Sequence, residues 1–325
     1  MDKIEQTAAA PALSMKKKPS FTSMTVILLT AVLFAGVGMN SDTFFTYSNI
    51  YSIVYGVGFQ FLAAIGFTFL IIMGEMDLSV GSVYAFSGMF VGYMVLKLKL
   101  SLWLAIGISL SACLLLGLIT GFLVVKLHLN SMMVTIATMT LVRGLASNFV
   151  KALTGLTYPK EMRALAKTSF HGVHYIVIAM VVLVIVLEFL LKRSAFFKKM
   201  YYVGENLETT RVYGIRSDII KTLIFGVSSL TAGMGGILIN ARVTYADTAI
   251  GNGLEFTILT ACVLGGASLN GGKGSILATA FGLIFLATIS NAMVVFNIDP
   301  LLSQLIVGII LIVSVFVDSR VNKNS

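Results

Sequence analysis

The stretch Tyr202-Val-Gly-Glu-Asn-Leu-Glu-Thr-Thr-Arg-Val-Tyr-Gly-Ile-Arg-Ser-Asp218 is a polar, charge-rich island in an otherwise apolar chain. Basic residues flank it on both sides, namely Arg193, Lys198, Lys199 and Lys221. Basic flanks of this kind mark a loop on the cytoplasmic side of a membrane. Residues 205–213 have helical spacing and precede Gly214, a candidate C-cap. The pattern predicts a short capped helix that faces a partner, and the alternative is an ordinary hydrophilic loop between two spans.

The composition of the whole chain indicates a membrane protein. Of its 325 residues, 57% are hydrophobic and 11% are charged, and the mean hydropathy is +0.95. A soluble globular protein of this length carries far more charge. The net charge of +9 does not indicate nucleic-acid binding, because the Lys and Arg residues lie between apolar segments rather than along one face. The predicted fold class is therefore an all-α polytopic membrane protein.

Apolar segments long enough to approach the roughly 20 residues of a membrane span divide the chain into ten predicted spans. They are 21–39, 50–73, 81–96, 102–125, 132–150, 173–191, 222–240, 255–265, 275–296 and 301–317. Segment 81–96 is short, 132–150 contains Arg143, and 255–265 is too short to cross as a straight helix. Short segments of this kind are typical of half-helices, whose broken backbone is tolerated where protein or water lines it.

Charge asymmetry predicts the orientation of the ten segments. If both termini of the chain are cytoplasmic, fifteen Lys and Arg residues lie on the cytoplasmic side of the membrane and seven on the external side, as the positive-inside rule requires. The predicted organisation is a cytoplasmic tail 1–20, one transmembrane domain 21–318 with a cytoplasmic coupling segment 200–218, and a cytoplasmic tail 319–325. Residues 192–221 are predicted to be cytoplasmic, and 151–172 and 241–254 to be external.

A first break, Gly74-Glu-Met-Asp-Leu-Ser-Val-Gly-Ser82, interrupts two apolar runs with two carboxylates and two glycines. We expect Asp77 or Ser79 to accept hydrogen bonds from the free N–H groups at the start of the next segment. The alternative is a simple capped turn at the membrane surface.

A second break, Gly265-Gly-Ala-Ser-Leu-Asn-Gly-Gly-Lys-Gly-Ser275, has a similar order of residue types, which is compatible with a short internal repeat. It is not a phosphate-binding loop, because the pattern G-x-x-x-x-G-K-[ST] requires Gly at position 267 and Ser or Thr at 274. The chain has Ala267 and Gly274 at those positions. We therefore expect no bound ATP and no other cofactor.

Several single residues in or near the apolar segments require an interpretation. Arg143 is costly inside a span, so it either snorkels outward, meets a structural partner or contacts substrate hydroxyls. Asn130 and Ser131 form a candidate N-cap for its segment. His171 and His174 have a metal spacing only on a helix with further ligands nearby, so no metal is predicted. The cysteines, Cys113 and Cys262, lie in apolar segments and are predicted to be packing residues.

The polar island and both breaks resemble motifs of ABC importer permeases of the ribose, xylose and galactose type. Residues 204–215 are similar to their coupling segment, Gly-x-Asn-x-x-Ala-Ala-x-x-x-Gly-Ile, with Thr209 and Thr210 in place of the alanines. Residues 74–82 resemble the signature Gly-Gly-Ile-Asp-Leu-Ser-Val-Gly-Ser, with departures at Glu75 and Met76. The second break is similar to the Gly-Gly-x-Ser-Leu-x-Gly-Gly run of the same permeases. The resemblance covers about 49–318.

This resemblance implies a type II ABC importer-like permease in a bacterial inner membrane that forms the path of a monosaccharide or related small polar solute. The implied partners are a second permease subunit, two cytoplasmic ABC ATPase domains that supply the energy, and an extracytoplasmic solute-binding protein. The implied ATPase-coupling residues are Gly204, Glu205, Asn206, Glu208, Arg211, Gly214 and Ile215. The implied residues of the pathway and signature loops are Gly74, Asp77, Leu78, Ser79, Gly81, Ser82, Gly265, Gly266, Ser268, Gly271 and Gly272.

Two other functional classes are less compatible with the sequence. A carrier driven by an ion gradient requires carboxylates in mid-span. Here Glu188 and Glu255 fall near span ends, and Glu75 and Asp77 lie at a break. A membrane-embedded enzyme requires a catalytic constellation, and neither a Ser/His/Asp set nor an H-E-x-x-H motif is present.

Overall fold

A computed structural model of the chain describes residues 21–41, 43–299 and 302–323. The predicted tail 1–20, the last residues of the C-terminal tail and the side chains of Glu208 and Arg211 lie outside the described part. The helices are α1 (Phe21–Met39), α2 (Tyr47–Ile72), α3 (Val80–Leu96), α4 (Leu102–Lys126), α5 (Ser131–Leu153), α6 (Lys160–Lys167), α7 (Tyr175–Arg193), α8 (Ala195–Glu205), α9 (Leu207–Val212), α10 (Ser217–Val243), α11 (Leu254–Leu264), α12 (Ile276–Val295) and α13 (Leu302–Lys323). A short antiparallel hairpin joins β1 (Ser169–Phe170) to β2 (Val173–His174).

The helices α2, α4, α5, α7, α10 and α12 are long and apolar enough to cross a membrane, by length and composition. Each of the other four predicted segments is also an apolar helix, in α1, α3, α11 and α13. The helical character of all ten segments is thus confirmed, whereas the number that cross the bilayer stays a prediction. The eleven residues of α11 rise only about 16 Å, about half of a hydrocarbon core of ~30 Å.

Helix α10 lies at the centre of the fold and packs against α2, α3 and α4. Small residues on its buried faces allow this close packing, among them Ser228, Ser229, Ala232, Gly233, Gly235 and Gly236. Small side chains let helix backbones approach each other in membrane proteins. The Oγ of Ser87 on α3, for example, donates a 2.9 Å hydrogen bond to the carbonyl of Gly233. Around this centre α3 packs on α5, and α12 packs on α1, α2 and α11.

Both breaks begin with the same local structure, a helix end closed by a glycine in the left-handed region. Gly74 after α2 has φ +72°, and Gly266 after α11 has φ +83°. The N–H of each glycine and that of the next residue return to carbonyls of the preceding turn, which is the Schellman arrangement. The bonds are Gly74 to Ile71 (3.0 Å), Glu75 to Leu70 (3.0 Å), Gly266 to Val263 (2.9 Å) and Ala267 to Cys262 (2.9 Å). The similar residue order of the two breaks therefore corresponds to a shared helix ending.

One sequence-based expectation about loops is wrong in part, and a second predicted loop contains regular structure. The single helix predicted over 205–213 is interrupted at Asn206, whose backbone is extended with φ −157°, so that α8 and α9 are separate helices. The predicted external loop 151–172 contains α6 and β1. Helix α6 forms because Met162 and Ala166, four residues apart, are buried on one face, and it packs against α10. The prediction that Cys113 and Cys262 are packing residues is confirmed, since both are buried, free thiols.

Candidate functional site

The three glycine-containing motifs, far apart in sequence, meet in one place. The N–H of Gly272 in the second break donates a 2.8 Å hydrogen bond to the carbonyl of Ile72, at the end of α2. Gly204 of α8 lies so close that a Cβ there would overlap this carbonyl and would come within 2.7 Å of the Gly272 nitrogen. A Cβ on Gly271 would meet the backbones of Gly204 and Gly74. We call this contact among Ile72, Gly74, Gly204, Gly271 and Gly272 the glycine junction.

Side chains of α7 and α8 hold the second break beside the glycine junction. The hydroxyl of Tyr201 donates a 2.8 Å hydrogen bond to the carbonyl of Gly274. Burial, with a smaller contribution from Glu188, raises the pKa of Tyr201, so its hydroxyl keeps the proton that it donates. Glu188 accepts from the Oγ of Ser275 at 2.9 Å and pairs with Lys192 at 3.0 Å.

Glu75, which stands where the permease signature has glycine, makes a buried ion pair. The Nζ of Lys221 on α10 lies 2.6 Å from Glu75 Oε1, and the two side chains are only 10% and 14% exposed. The departure from the pattern therefore adds a contact between the first break and α10. The sequence shows both residues but contains no sign that they pair.

Asp77 is 1% exposed and is fully engaged by hydroxyls and backbone. Its Oδ1 accepts from the N–H of Ser79 at 3.0 Å and from the hydroxyl of Ser79, and its Oδ2 accepts from the Oγ of Ser228 at 3.1 Å. Asp77 was expected to accept from an N–H at the start of the next helix. It accepts instead from the N–H of Ser79, the residue immediately before α3. The expected capping by Ser79 is wrong, since its side chain accepts from no N–H of the helix among the described residues.

The first break runs into the interior of the protein along α10. Ser228 follows Lys221 by seven residues, or about 10 Å along a helix. The first break contacts Lys221 through Glu75 and Ser228 through Asp77. The chain then enters α3. Asp77 and Ser79 are buried within the protein, which favours a structured break over an exposed turn, and its depth in the membrane stays a prediction.

The other signature-loop residues line the same two breaks. Leu78, Ser82 and Ser268 are buried. The Oγ of Ser82 donates to the carbonyl of Ser79 at 2.7 Å, and a Cβ on Gly265 would come within 2.8 Å of the backbone of Ala278 on α12.

A second cluster lies where α3 and α11 begin, and here Arg143 has a structural partner. Its Nη1 and Nη2 donate 2.9 Å hydrogen bonds to the carbonyls of Ile250 and Gly251. Of the alternatives for Arg143, a structural partner is confirmed, because the guanidinium binds the loop before α11. The N-cap predicted for α5 is confirmed: Asn130 Oδ1 accepts from the N–H groups of Met132 and Met133.

Glu255 belongs to the same cluster and was not identified from the sequence as a site residue. It is 5% exposed and contacts Gly81 in the first turn of α3. Its Oε2 has no hydrogen-bond partner among the described residues. Arg143 supplies positive charge nearby, and the N-terminal ends of α3 and α11 also favour a carboxylate. Glu255 begins a segment that is too short to span a membrane, and Arg143 lies in an apolar segment without an acidic partner. Together these two signals could have predicted that Arg143 and Glu255 lie close to each other.

One side of the coupling segment is buried against the protein, and its other side is exposed. Thr210, where alanine is usual, is 2% exposed, and its hydroxyl lies within hydrogen-bonding distance of the carbonyls of Asn206 (2.6 Å) and Tyr202 (2.9 Å). Gly214 has φ +70°, and the N–H of Ile215 returns to Thr210 at 3.2 Å, so the predicted C-cap is confirmed. Glu205 and Asn206 are exposed.

Potential metal ligands are not grouped in the described part of the chain: no set of three or more His, Cys, Asp or Glu side chains is suitably placed. His174 is engaged elsewhere, since its Nδ1 lies 2.6 Å from the hydroxyl of Tyr51.

Broken apolar helices packed around a central helix, with a capped polar segment connected to the breaks, define a multi-pass membrane protein of the transport permease class. The family described as branched-chain amino acid transport system / permease component matches residues 49–315, and the chain belongs to this family.

Similar proteins extend over almost the whole chain. The L-arabinose transport system permease protein AraH of Escherichia coli is 30% identical, over 92% of this chain and 90% of its own length. The L-arabinose permease AraH of Azospirillum brasilense is 32% identical (90% and 86%). The ribose import permease protein RbsC of Haemophilus influenzae is 30% identical (89% and 90%). No solved structure matches this chain.

Proposed function

We propose that this chain is the membrane-spanning permease subunit of an ABC importer for a monosaccharide or a related small polar solute, and that partner subunits bind the ATP. The names of similar proteins refer to arabinose, ribose and autoinducer 2. These names support a small, hydroxyl-rich solute. The family and the broken helices support a passive path rather than a catalytic site.

The observation that carries the proposal is the exposure of the coupling segment. Val212 is 86% exposed and Tyr213 is 62% exposed, although both are large apolar side chains on a polar segment. Neighbouring exposed apolar side chains mark interaction sites. The segment is continuous with α10, and Gly204, the first residue of its motif, forms part of the glycine junction. An ATPase domain that binds α9 would therefore act on both breaks.

We assign the solute path, and the contact with a second permease subunit, to one face of α5. One exposed stripe of α5 is small and polar, namely Ala137, Thr140, Gly144, Asn148 and Lys151, and it lies beside exposed apolar side chains that include Met133, Leu141 and Leu145. A face in contact with lipid is apolar, whereas small and polar residues favour another helix or a water-filled path. We place this stripe against a second permease subunit across the solute path, with a solute-binding protein at the external side near α6.

The carboxylates close to the spans argue against a carrier driven by an ion gradient. Glu75 pairs with Lys221, Asp77 accepts from Ser79 and Ser228, and Glu188 accepts from Ser275. These three carboxylates are occupied by the protein itself, whereas Glu255 keeps one oxygen without a hydrogen-bond partner among the described residues. The proposed location is the bacterial inner membrane, with both termini in the cytoplasm.

The experiment compares Gly214→Val with Gly155→Val. Both glycines have positive φ and open space where a Cβ would lie, so each substitution carries a similar strain of about 1–2 kcal/mol. Both variants should insert and express, but only Gly214→Val should fail to capture an ATPase domain and to support ATP hydrolysis stimulated by solute delivery. We expect the same loss for Arg211→Glu. Uptake that persists after ATP depletion and collapses with an uncoupler would contradict the proposal.

A further inference from the structure

The ion pair between Glu75 and Lys221 lies next to the glycine junction on one side and close to the coupling segment on the other. Glu75 directly follows Gly74 of the glycine junction. Lys221 is in the second turn of α10, which begins at Ser217, two residues after the end of the coupling motif at Ile215. The 2.6 Å contact therefore joins the start of the first break to the helix that continues the coupling segment.

A second contact holds the other end of the same stretch to α10. Ser228 donates to Asp77 at 3.1 Å, and Asp77 also binds Ser79, next to the first residue of α3. Ser228 and Lys221 are seven residues apart, so they lie on the same face of α10. Residues 75–77 are thus attached to α10 at both ends, and the start of α3 must follow a displacement of α10.

The burial of the pair favours a positioning role over a stabilising one. Two side chains that are only 10% and 14% exposed have lost much of their hydration, and a buried ion pair often contributes no more stability than apolar residues of similar volume. What an ion pair provides instead is a defined geometry. Here that geometry fixes the register of the first break against α10.

We propose that Glu75 and Lys221 are positioning residues that transmit displacement of the coupling segment, through α10, to the start of α3. The inference rests on the proposed function, because the displacement comes from an ATPase partner. Without the pair, only the contact between Ser228 and Asp77 would hold the first break to α10, and ATP hydrolysis would move the start of α3 less effectively.

The test uses the full transporter, assembled with its ATPase domains in proteoliposomes, and four variants of the pair. Glu75→Gln and Lys221→Gln each remove one charge, and the double variant Glu75→Leu with Lys221→Met removes both and leaves no buried charge unpaired. The charge swap Glu75→Lys with Lys221→Glu keeps the pair in reverse. The matched control is Lys126→Gln, which removes an exposed ion pair with Asp218 on the same helix α10, where the two side chains are 60% and 40% exposed.

All these proteins should capture the ATPase domains and hydrolyse ATP at the basal rate. The readout is the ratio of solute-stimulated to basal hydrolysis, together with uptake per ATP. We expect roughly a tenfold loss of both, the size of an ordinary coupling between sites, in the two single variants and in the apolar double variant. The charge swap should recover most of the loss, and Lys126→Gln should behave like the parent.

An apolar double variant with full stimulation and uptake would overturn the proposal, because a charge-free contact would then suffice. So would a folded charge swap that captures the ATPase domains but stays uncoupled. A parent chain that captures no ATPase domain would instead overturn the proposed function, and this inference with it.

Discussion

The amide of Gly272 and the carbonyl of Ile72 form a 2.8 Å hydrogen bond between residues 200 positions apart. The last carbonyls of a helix have no partner within the helix, and α2 ends at Ile72. The second break supplies the missing donor, and Gly204 packs against the same carbonyl. A helix end, a loop and the entry to the coupling segment are therefore joined through backbone atoms, which leaves little room for side chains.

Gly204→Ala should destabilise the protein by about 1–3 kcal/mol, the usual cost of overpacking. The added methyl group would overlap the carbonyl of Ile72 and the amide of Gly272, and backbone atoms move less easily than side chains. Denaturation in detergent, followed by tryptophan fluorescence or circular dichroism, measures the change. Gly107→Ala in α4 is the control, because its Cβ would meet no atom within 4 Å. Equal stability of the two variants would contradict the close approach.

Asp77→Ala should cost about 1.5–3 kcal/mol, the range for hydrogen bonds to a charged group, and should reduce uptake. It leaves the donors on Ser79 and Ser228 without their buried acceptor. Asp77→Asn keeps one carbonyl oxygen and should lose less. The free energy of unfolding and the initial uptake rate are the measurements. If Asp77→Ala transports like the parent, the anchoring of the break at Ser228 does not matter for function.

Arg143→Lys should weaken the loop before α11, because an ammonium group cannot donate to two carbonyls with the fixed geometry of a guanidinium. Arg143→Gln should be more severe, since it also removes the positive charge near the buried Glu255. Amide hydrogen exchange of residues 247–253 should become faster in both variants, and more so in Arg143→Gln. Unchanged exchange in this loop would show that the two 2.9 Å bonds do not stabilise it.

The predicted orientation can be tested by cysteine labelling with a membrane-impermeant reagent. The native thiols Cys113 and Cys262 are buried, so their background labelling should be low. A cysteine at Lys167 in α6 should react in intact cells, and one at Glu208 in α9 should react only after the membrane is opened. Labelling of position 208 from outside would reverse the predicted orientation.

Much of the local structure was predictable because it depends on neighbouring residues. All ten apolar segments are helices, Asn130 caps α5, and Gly214 closes the end of α9 in the left-handed region. The error in the coupling segment is local too: the backbone of Asn206 is extended, so the helix begins at Leu207 rather than at Glu205. Helix α6 was missed because its amphipathic pattern covers only eight residues.

The sequence by itself determined where the helices lie, where glycine ends them, and that Glu75, Asp77 and Arg143 are polar groups in an apolar chain that require partners. Only the tertiary structure decided which partners they have. Lys221 lies 146 residues from Glu75, Ser228 lies 151 from Asp77, and Gly251 lies 108 from Arg143. Helical periodicity and capping act over a few residues, whereas these pairs form only after α10 has packed between α2, α3 and α4, and a single sequence carries no signal for which faces of distant helices meet.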